Sequence, residues 1–145
     1  MESKFINRYR TFCKCLNNLK RAKLEDPNKA FVLEGVVQTF NLTFDISWKV
    51  MKDILVKVME IMDFALGSPR QVLQAAYNND LISDDEWLIM LKTRNQLAYD
   101  YDGEFAIEVY QNIIDSYIPL LEKFRVTAEQ YYKDDCAEKD SFQKE

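Results

Sequence analysis

Phe40-Asn41-Leu42-Thr43-Phe44-Asp45-Ile46-Ser47-Trp48-Lys49-Val50-Met51-Lys52-Asp53-Ile54-Leu55 places its large apolar side chains at steps of three and four. Phe40, Phe44, Trp48, Met51 and Leu55 share one stripe of a 3.6-residue repeat. Val36, Val37 and Val50 thicken it. The spacing predicts a long helix from about Lys29 to Met62, with Trp48 in the core. So wide an apolar surface implies packing on more than one side, and the spare side is a candidate subunit interface.

The same period continues on either side. Upstream, Phe5, Tyr9, Phe12, Leu16 and Leu19 form a stripe, with Ile6 and Cys13 beside it, which predicts a first helix from about Ser3 to Leu24. Pro27-Asn28 ends it, and Asp26 or Asn28 is placed to cap the second helix. Downstream, Gly67-Ser68-Pro69 reads as a stop followed by a start. Gly67 ends the long helix in a left-handed conformation, and Ser68 caps a short helix, Pro69 to Tyr77, with proline at its first position. Ser83-Asp84-Asp85-Glu86 has the form of a capping box, which starts a third long helix near Asp84 that runs to Tyr99 with Trp87, Leu91 and Leu97 inward. After Gly103 a fourth runs from about Glu104 to Lys133 on Phe105, Val109, Ile113, Tyr117, Leu120, Leu121 and Phe124. Pro119 lies inside it and should kink it. Together these give an all-α fold: an antiparallel up-and-down four-helix bundle, with a short extra helix between helices 2 and 3. Residues 1–133 form the domain, and residues 134–145 read as a charged, flexible tail.

Composition agrees with one helical domain. The 145 residues contain 48% apolar residues but only three glycines and three prolines, too few for a turn-rich β fold. Net charge is −5, which argues against broad non-specific binding to nucleic acid. The charge is uneven: residues 1–27 carry seven basic side chains against three acids, and residues 78–118 carry nine acids against two basic ones. The plain reading of this is two solvated helix faces. Cys13, Cys15 and Cys136 match no zinc spacing and read as free thiols in a reducing cytosol. Phe5-Ile6 is followed at once by Arg8 and Arg10, so no signal peptide is expected, and no apolar run approaches a membrane span.

The chain has no histidine at all. That removes serine–histidine and cysteine–histidine catalysis and the Glu-x-x-His pairs of bundle metal sites. No phosphate-cradling glycine loop exists, because the three glycines stand apart. No catalytic residue, metal or cofactor is expected. Two clusters do carry binding chemistry. In Arg94-Asn95-Gln96-Leu97-Ala98-Tyr99-Asp100-Tyr101-Asp102, the arginine offers a rigid fork for phosphate or carboxylate, and the tyrosines offer stacking faces and hydroxyls. The plainer alternative is a helix end with Arg94 paired to Asp100 or Asp102. In the second cluster, Lys49 and Lys52 are one turn apart and form either an anion-facing pair or two ordinary solvated lysines.

These residues resemble a known family when taken in order. Phe40-x-x-x-Phe44-x-x-x-Trp48-Lys49-x-x-Lys52-Asp53, Ser68-Pro69-Arg70, Leu81-Ile82-Ser83-Asp84 with Trp87, Arg94-Asn95 and Tyr101-Asp102 look like the nucleotidyltransferase substrate-binding protein family, part of the wider HEPN group. The resemblance spans about residues 5–125. It implies a four-helix bundle, dimeric or of higher homo-oligomeric order, that partners a minimal nucleotidyltransferase encoded nearby. In one version the bundle binds substrate and the partner supplies the chemistry. In the other the pair is a toxin–antitoxin system: the bundle is a metal-independent ribonuclease, and the transferase silences it by attaching AMP to a tyrosine. The ribonuclease motif is Arg, four intervening residues, His, one residue, then Tyr. Arg94, with Asn95 beside it, and Tyr101 match it, but Tyr99 stands at the histidine. A phenol, with an ordinary pKa of about 10, is a poor base at neutral pH. The resemblance therefore favours a non-catalytic subunit that binds a substrate, nucleotide or RNA through Arg94, Asn95, Tyr99, Tyr101 and Asp102, with Tyr101 as the candidate AMP acceptor.

Overall fold

The computed structural model describes residues 2–99 and 102–133. Its helices are α1 (Glu2–Lys20), α2 (Val32–Lys57), α3 (Pro69–Asn78), α4 (Glu86–Tyr99), α5 (Gly103–Asn112) and α6 (Ile118–Glu129). Short 3-10 turns at Arg21–Leu24 and Asp63–Leu66 extend α1 and lead into α3, and a π turn at Ile113–Tyr117 joins α5 to α6. Among the described residues there is no strand.

The four stripes meet in one core. Phe12 of α1 lies 5.7 Å from Phe124 of α6, which meets Trp87 of α4 edge-on at 5.9 Å. Trp87 continues to Phe44 of α2 at 6.3 Å, Phe44 to Phe40 at 6.3 Å, and Phe40 to Tyr117 at 5.3 Å. An unbroken chain of aromatic rings thus links every long element at the centroid spacings such pairs favour. The contacts also fix direction. Arg8 meets Asp53 while Leu19 and Ala22 lie beside Val32 and Val36, so α1 and α2 are antiparallel. Tyr9 meets Tyr132 and the Tyr110 hydroxyl donates to the Ala22 carbonyl, so the α5–α6 rod is antiparallel to α1. Trp87 with Phe124 and Thr93 with Tyr117 make α4 antiparallel to the rod as well. This is the expected up-and-down bundle, with α3 between α2 and α4.

The wide apolar surface of α2 is used inside the chain. This helix packs against α1, α3, α4, α5 and α6, and ten of its residues are buried. Its breadth therefore reflects a central position in the bundle and is no argument for a subunit interface. An ionic clasp holds α1 to α6: Glu122 accepts from Arg125 and from Lys20, each at 2.6 Å. The Arg125 hydrogen bond is the chief reason that the Glu122 carboxyl titrates below its ordinary value. Burial pushes the Tyr9 hydroxyl and the Cys15 thiol upward, which keeps both protonated and inert at neutral pH.

Several helix ends differ from the sequence-based expectation. The second helix begins at Val32 after Phe31, which has φ 69°, and neither Asp26 nor Asn28 caps it. Asp26 instead accepts the Asn28 N–H in a local turn. It stops at Lys57, and Glu60, not Gly67, takes the left-handed conformation (φ 58°). Gly67 stays right-handed at φ −76°. Ser68 caps α3 as expected, accepting the Gln71 N–H at 3.2 Å. Ser83 does not complete its capping box: its hydroxyl accepts from Lys123, and α4 starts at Glu86. The kink expected at Pro119 is a π turn just before it. Proline cannot donate to the carbonyl four residues back and crowds it, and the wider turn lets the Ile118 N–H reach Ile113 instead. Cys136 and the segment 134–145 lie outside the described residues.

Candidate functional site

Two adjacent helices place their polar residues around one open pocket. In α2, Asp45, Trp48 and Lys49 recur at steps of three and four, so all three project from one side. In α4, Leu91, Arg94 and Asn95 do the same. With Pro69 at the start of α3 they line a cavity of about 280 Å3. Trp48 is only partly buried: its ring packs on the core and forms one wall, so it is not the core residue that its stripe suggested. The Lys49 ammonium lies 5.7 Å from the centroid of that ring, within cation–π range.

Arg94 is held by an acid from the neighbouring helix. Its Nε donates to Asp45 Oδ1 at 3.0 Å and its Nη2 to Asp45 Oδ2 at 2.9 Å, a two-point fork. Both side chains keep about a third of their surface in water, at 33% and 32%. The hydrogen bonds to Asp45 raise the guanidinium pKa further, so its charge is permanent. Among the described residues Arg94 thus pairs with Asp45 of another helix, and not with Asp102, one of the two acids considered from the sequence. Asp102 is occupied elsewhere: its Oδ1 accepts the Phe105 N–H at 3.0 Å and caps α5. Asp100 and Tyr101, the candidate AMP acceptor, lie outside the described residues.

The pocket thus joins Lys49, Arg94 and Asn95, which the sequence placed in two separate clusters. Lys52 is not part of it, since its ammonium turns to Asp63 at 3.2 Å. Tyr99 ends α4 with 91% of its surface exposed and does not line the cavity. Asp45 is the pocket residue that sequence reasoning missed. Its one signal was its position, a full turn before Lys49 on the same helix face. Two larger hollows carry less suitable chemistry. One, about 310 Å3 between α3 and the start of α4, is lined by Trp87, Tyr77, Asp84 and Asp85, whose carboxylates would repel an anion. The other, about 360 Å3 beside Phe31, balances Arg21 against Glu25. Among the described residues no group of three histidines, cysteines or acids could hold a metal ion, and no helix is long and apolar enough to cross a membrane.

Chemically, the pocket offers two cations, Lys49 and Arg94, against the one carboxylate of Asp45, together with a side-chain amide and an indole face. That combination suits an anion attached to a flat or apolar group.

Known proteins resemble this chain over most of its length. The family model described as "nucleotidyltransferase substrate binding protein like" matches residues 7–130. A curated relative, the probable ribonuclease HepT of Haemophilus influenzae, is 30% identical over 99 residues, covering 65% of this chain and 68% of the relative. A crystal structure of a Thermus thermophilus protein superposes with a TM-score of 0.71 at 26% identity, covering 81% of this chain and 98% of the other. The span matched by the family model contains both walls of the pocket and most of every long helix, and on that basis the chain belongs to the nucleotidyltransferase substrate-binding-like family.

Proposed function

We propose that this protein is the non-catalytic substrate-binding subunit of a two-component nucleotidyltransferase. It forms a complex with a separately encoded minimal nucleotidyltransferase, as a cytoplasmic homodimer or higher homo-oligomer. Its pocket holds the anionic part of the substrate, with Lys49 and Arg94 supplying charge, Asn95 an amide contact and Trp48 a flat wall. The observation that carries this reading is the convergence of Lys49 from α2 with Arg94 and Asn95 from α4. Family membership supports the partner, and the complete lack of histidine supports leaving the chemistry to it. Tyr99, the last residue of the pocket's helix α4, and Tyr101, two residues on in the sequence, serve as contacts for substrate or partner.

The test is to mix the purified chain with the nucleotidyltransferase encoded beside it, ATP and magnesium. Complex formation and intact mass are then measured. A complex without a mass gain supports a subunit that presents another molecule. Absence of any complex overturns the proposal.

The similarity to a probable ribonuclease favours one alternative, an RNA-cleaving toxin weakened by Tyr99 at the motif's histidine position. On that reading a mass gain of one AMP appears in the same experiment and is lost in Tyr101→Phe. Tyr99→His should also raise RNA cleavage sharply. If neither the native chain nor Tyr99→His cleaves RNA, the alternative falls.

A further inference from the structure

Asp45 stands where an anion would bind. Arginine recognises phosphate and carboxylate alike through two parallel N–H groups. Asp45 already takes one such edge of Arg94, at 3.0 and 2.9 Å, inside the same pocket as Lys49 and Asn95. A salt bridge with a third of each partner in water is weak enough to exchange. It is also tethered, so its carboxylate is present at high effective concentration beside the fork. A free carboxylate brings one negative charge and two oxygens, no more than Asp45 already supplies. A phosphate monoester brings between one and a half and two charges at pH 7, roughly, and three terminal oxygens. It can take the fork and reach Lys49 with the oxygen left over.

From this we infer that Asp45 is a built-in competitor that makes the pocket selective for phosphate dianions over carboxylates. It rests on the anion-binding role given to the pocket above, and narrows the ligand to a phosphate-bearing molecule. A phosphate enters by displacing Asp45 from Arg94, and Asp45 then stands free to repel any second anion. A carboxylate cannot gain enough to do so. The acid thus sets both the threshold and the selectivity of the site.

The test uses inorganic phosphate and acetate as probes on the full chain at pH 7.5 and fixed ionic strength, read by the NMR signal of the Arg94 Nε–H. In the native protein phosphate should shift the signal and acetate should not. Asp45→Asn should bind phosphate about two- to fivefold more tightly, the range expected for releasing a partly exposed ion pair. It should also begin to bind acetate. Asp45→Ala, which leaves no acceptor for the fork, should behave alike. Asp63→Asn changes net charge by the same amount but acts on Lys52 outside the pocket, and should leave binding unchanged. Adding Arg94→Gln to Asp45→Asn removes the reporter signal, so this variant is read by isothermal titration with phosphate, and the gain should be abolished, which ties it to this pair. Equal or weaker phosphate binding in Asp45→Asn overturns the inference, because Asp45 would then only position Arg94. Acetate binding by the native protein as tight as phosphate overturns it too, as does a failure of either probe to move the signal in any variant. Complex formation with the nucleotidyltransferase is scored separately. A chain that selects phosphate but captures no partner would sink the subunit reading and leave the role of Asp45 intact.

Discussion

Arg94 shows what single residues disclose and what they hide. Its fork was legible as an anion binder from its chemistry, but its partner was not. Asp45 lies 49 positions away, and no helical period connects residues on different helices. Lys49 and Lys52 looked equivalent at i and i+3, yet only Lys49 faces the pocket, because Asp63 draws Lys52 aside. The two should therefore separate on mutation. Lys49→Ala should weaken phosphate binding about three- to tenfold, as loss of a partly exposed charge contact does, and Lys52→Ala should change it less than about twofold. Isothermal titration with a nucleoside monophosphate checks both. Glu122 gives a pH-dependent test. Its folded pKa lies below the ordinary 4.5, so its contribution is full above that value and disappears as pH falls through the lower folded value. Glu122→Gln should cost about 1 kcal/mol at pH 7, a charged hydrogen bond discounted for partial exposure. The difference from the native protein should shrink in urea unfolding as the pH is lowered from 7 to below 4.5.

At the scale of elements, the stripes were readable and the ends were not. Five apolar positions in α2 fix that it is a helix, since each adds to the same periodicity. Its limits depend on Phe31 and Glu60 adopting positive φ, and neither residue type announces that conformation. Capping serines divide in the same way. Ser68 and Ser83 have equally good local patterns, but Lys123, from a distant part of the chain, claims Ser83. Ser68→Ala should cost about 1 kcal/mol as a lost N-cap. Ser83→Ala, which loses only an exposed contact with Lys123, should cost about 0.5 kcal/mol or less. Chemical denaturation of the two variants side by side would separate these values. Pro119 was read as a kink because proline removes a ladder bond. The π turn accommodates it while leaving Ile113 and Tyr117 before it, and Leu121 and Phe124 after it, all in the core.

For the whole molecule, the bundle was visible in the sequence because four amphipathic helices with short connections have few ways to bury their stripes. The pocket was only half visible, since it needs α2 and α4 side by side. That neighbourhood is a product of the aromatic chain from Phe12 to Tyr117, not of any local motif. The far end of the bundle carries another consequence. Tyr132, fully buried, stacks on Phe5 and Tyr9 with ring centroids 4.4 Å away in each case, so the start of α1 and the end of the α6 segment meet. The backbone path is thereby nearly a closed ring, and the order in which its helices are synthesised is close to arbitrary. A circular permutant opened between the exposed Lys29 and Ala30, with a flexible glycine–serine linker joining Lys133 to the start of α1, should keep its helical content and unfold in a single cooperative transition. Circular dichroism during thermal unfolding would register this. A permutant that unfolds in two steps would mean that α1 joins the bundle only because it is made first.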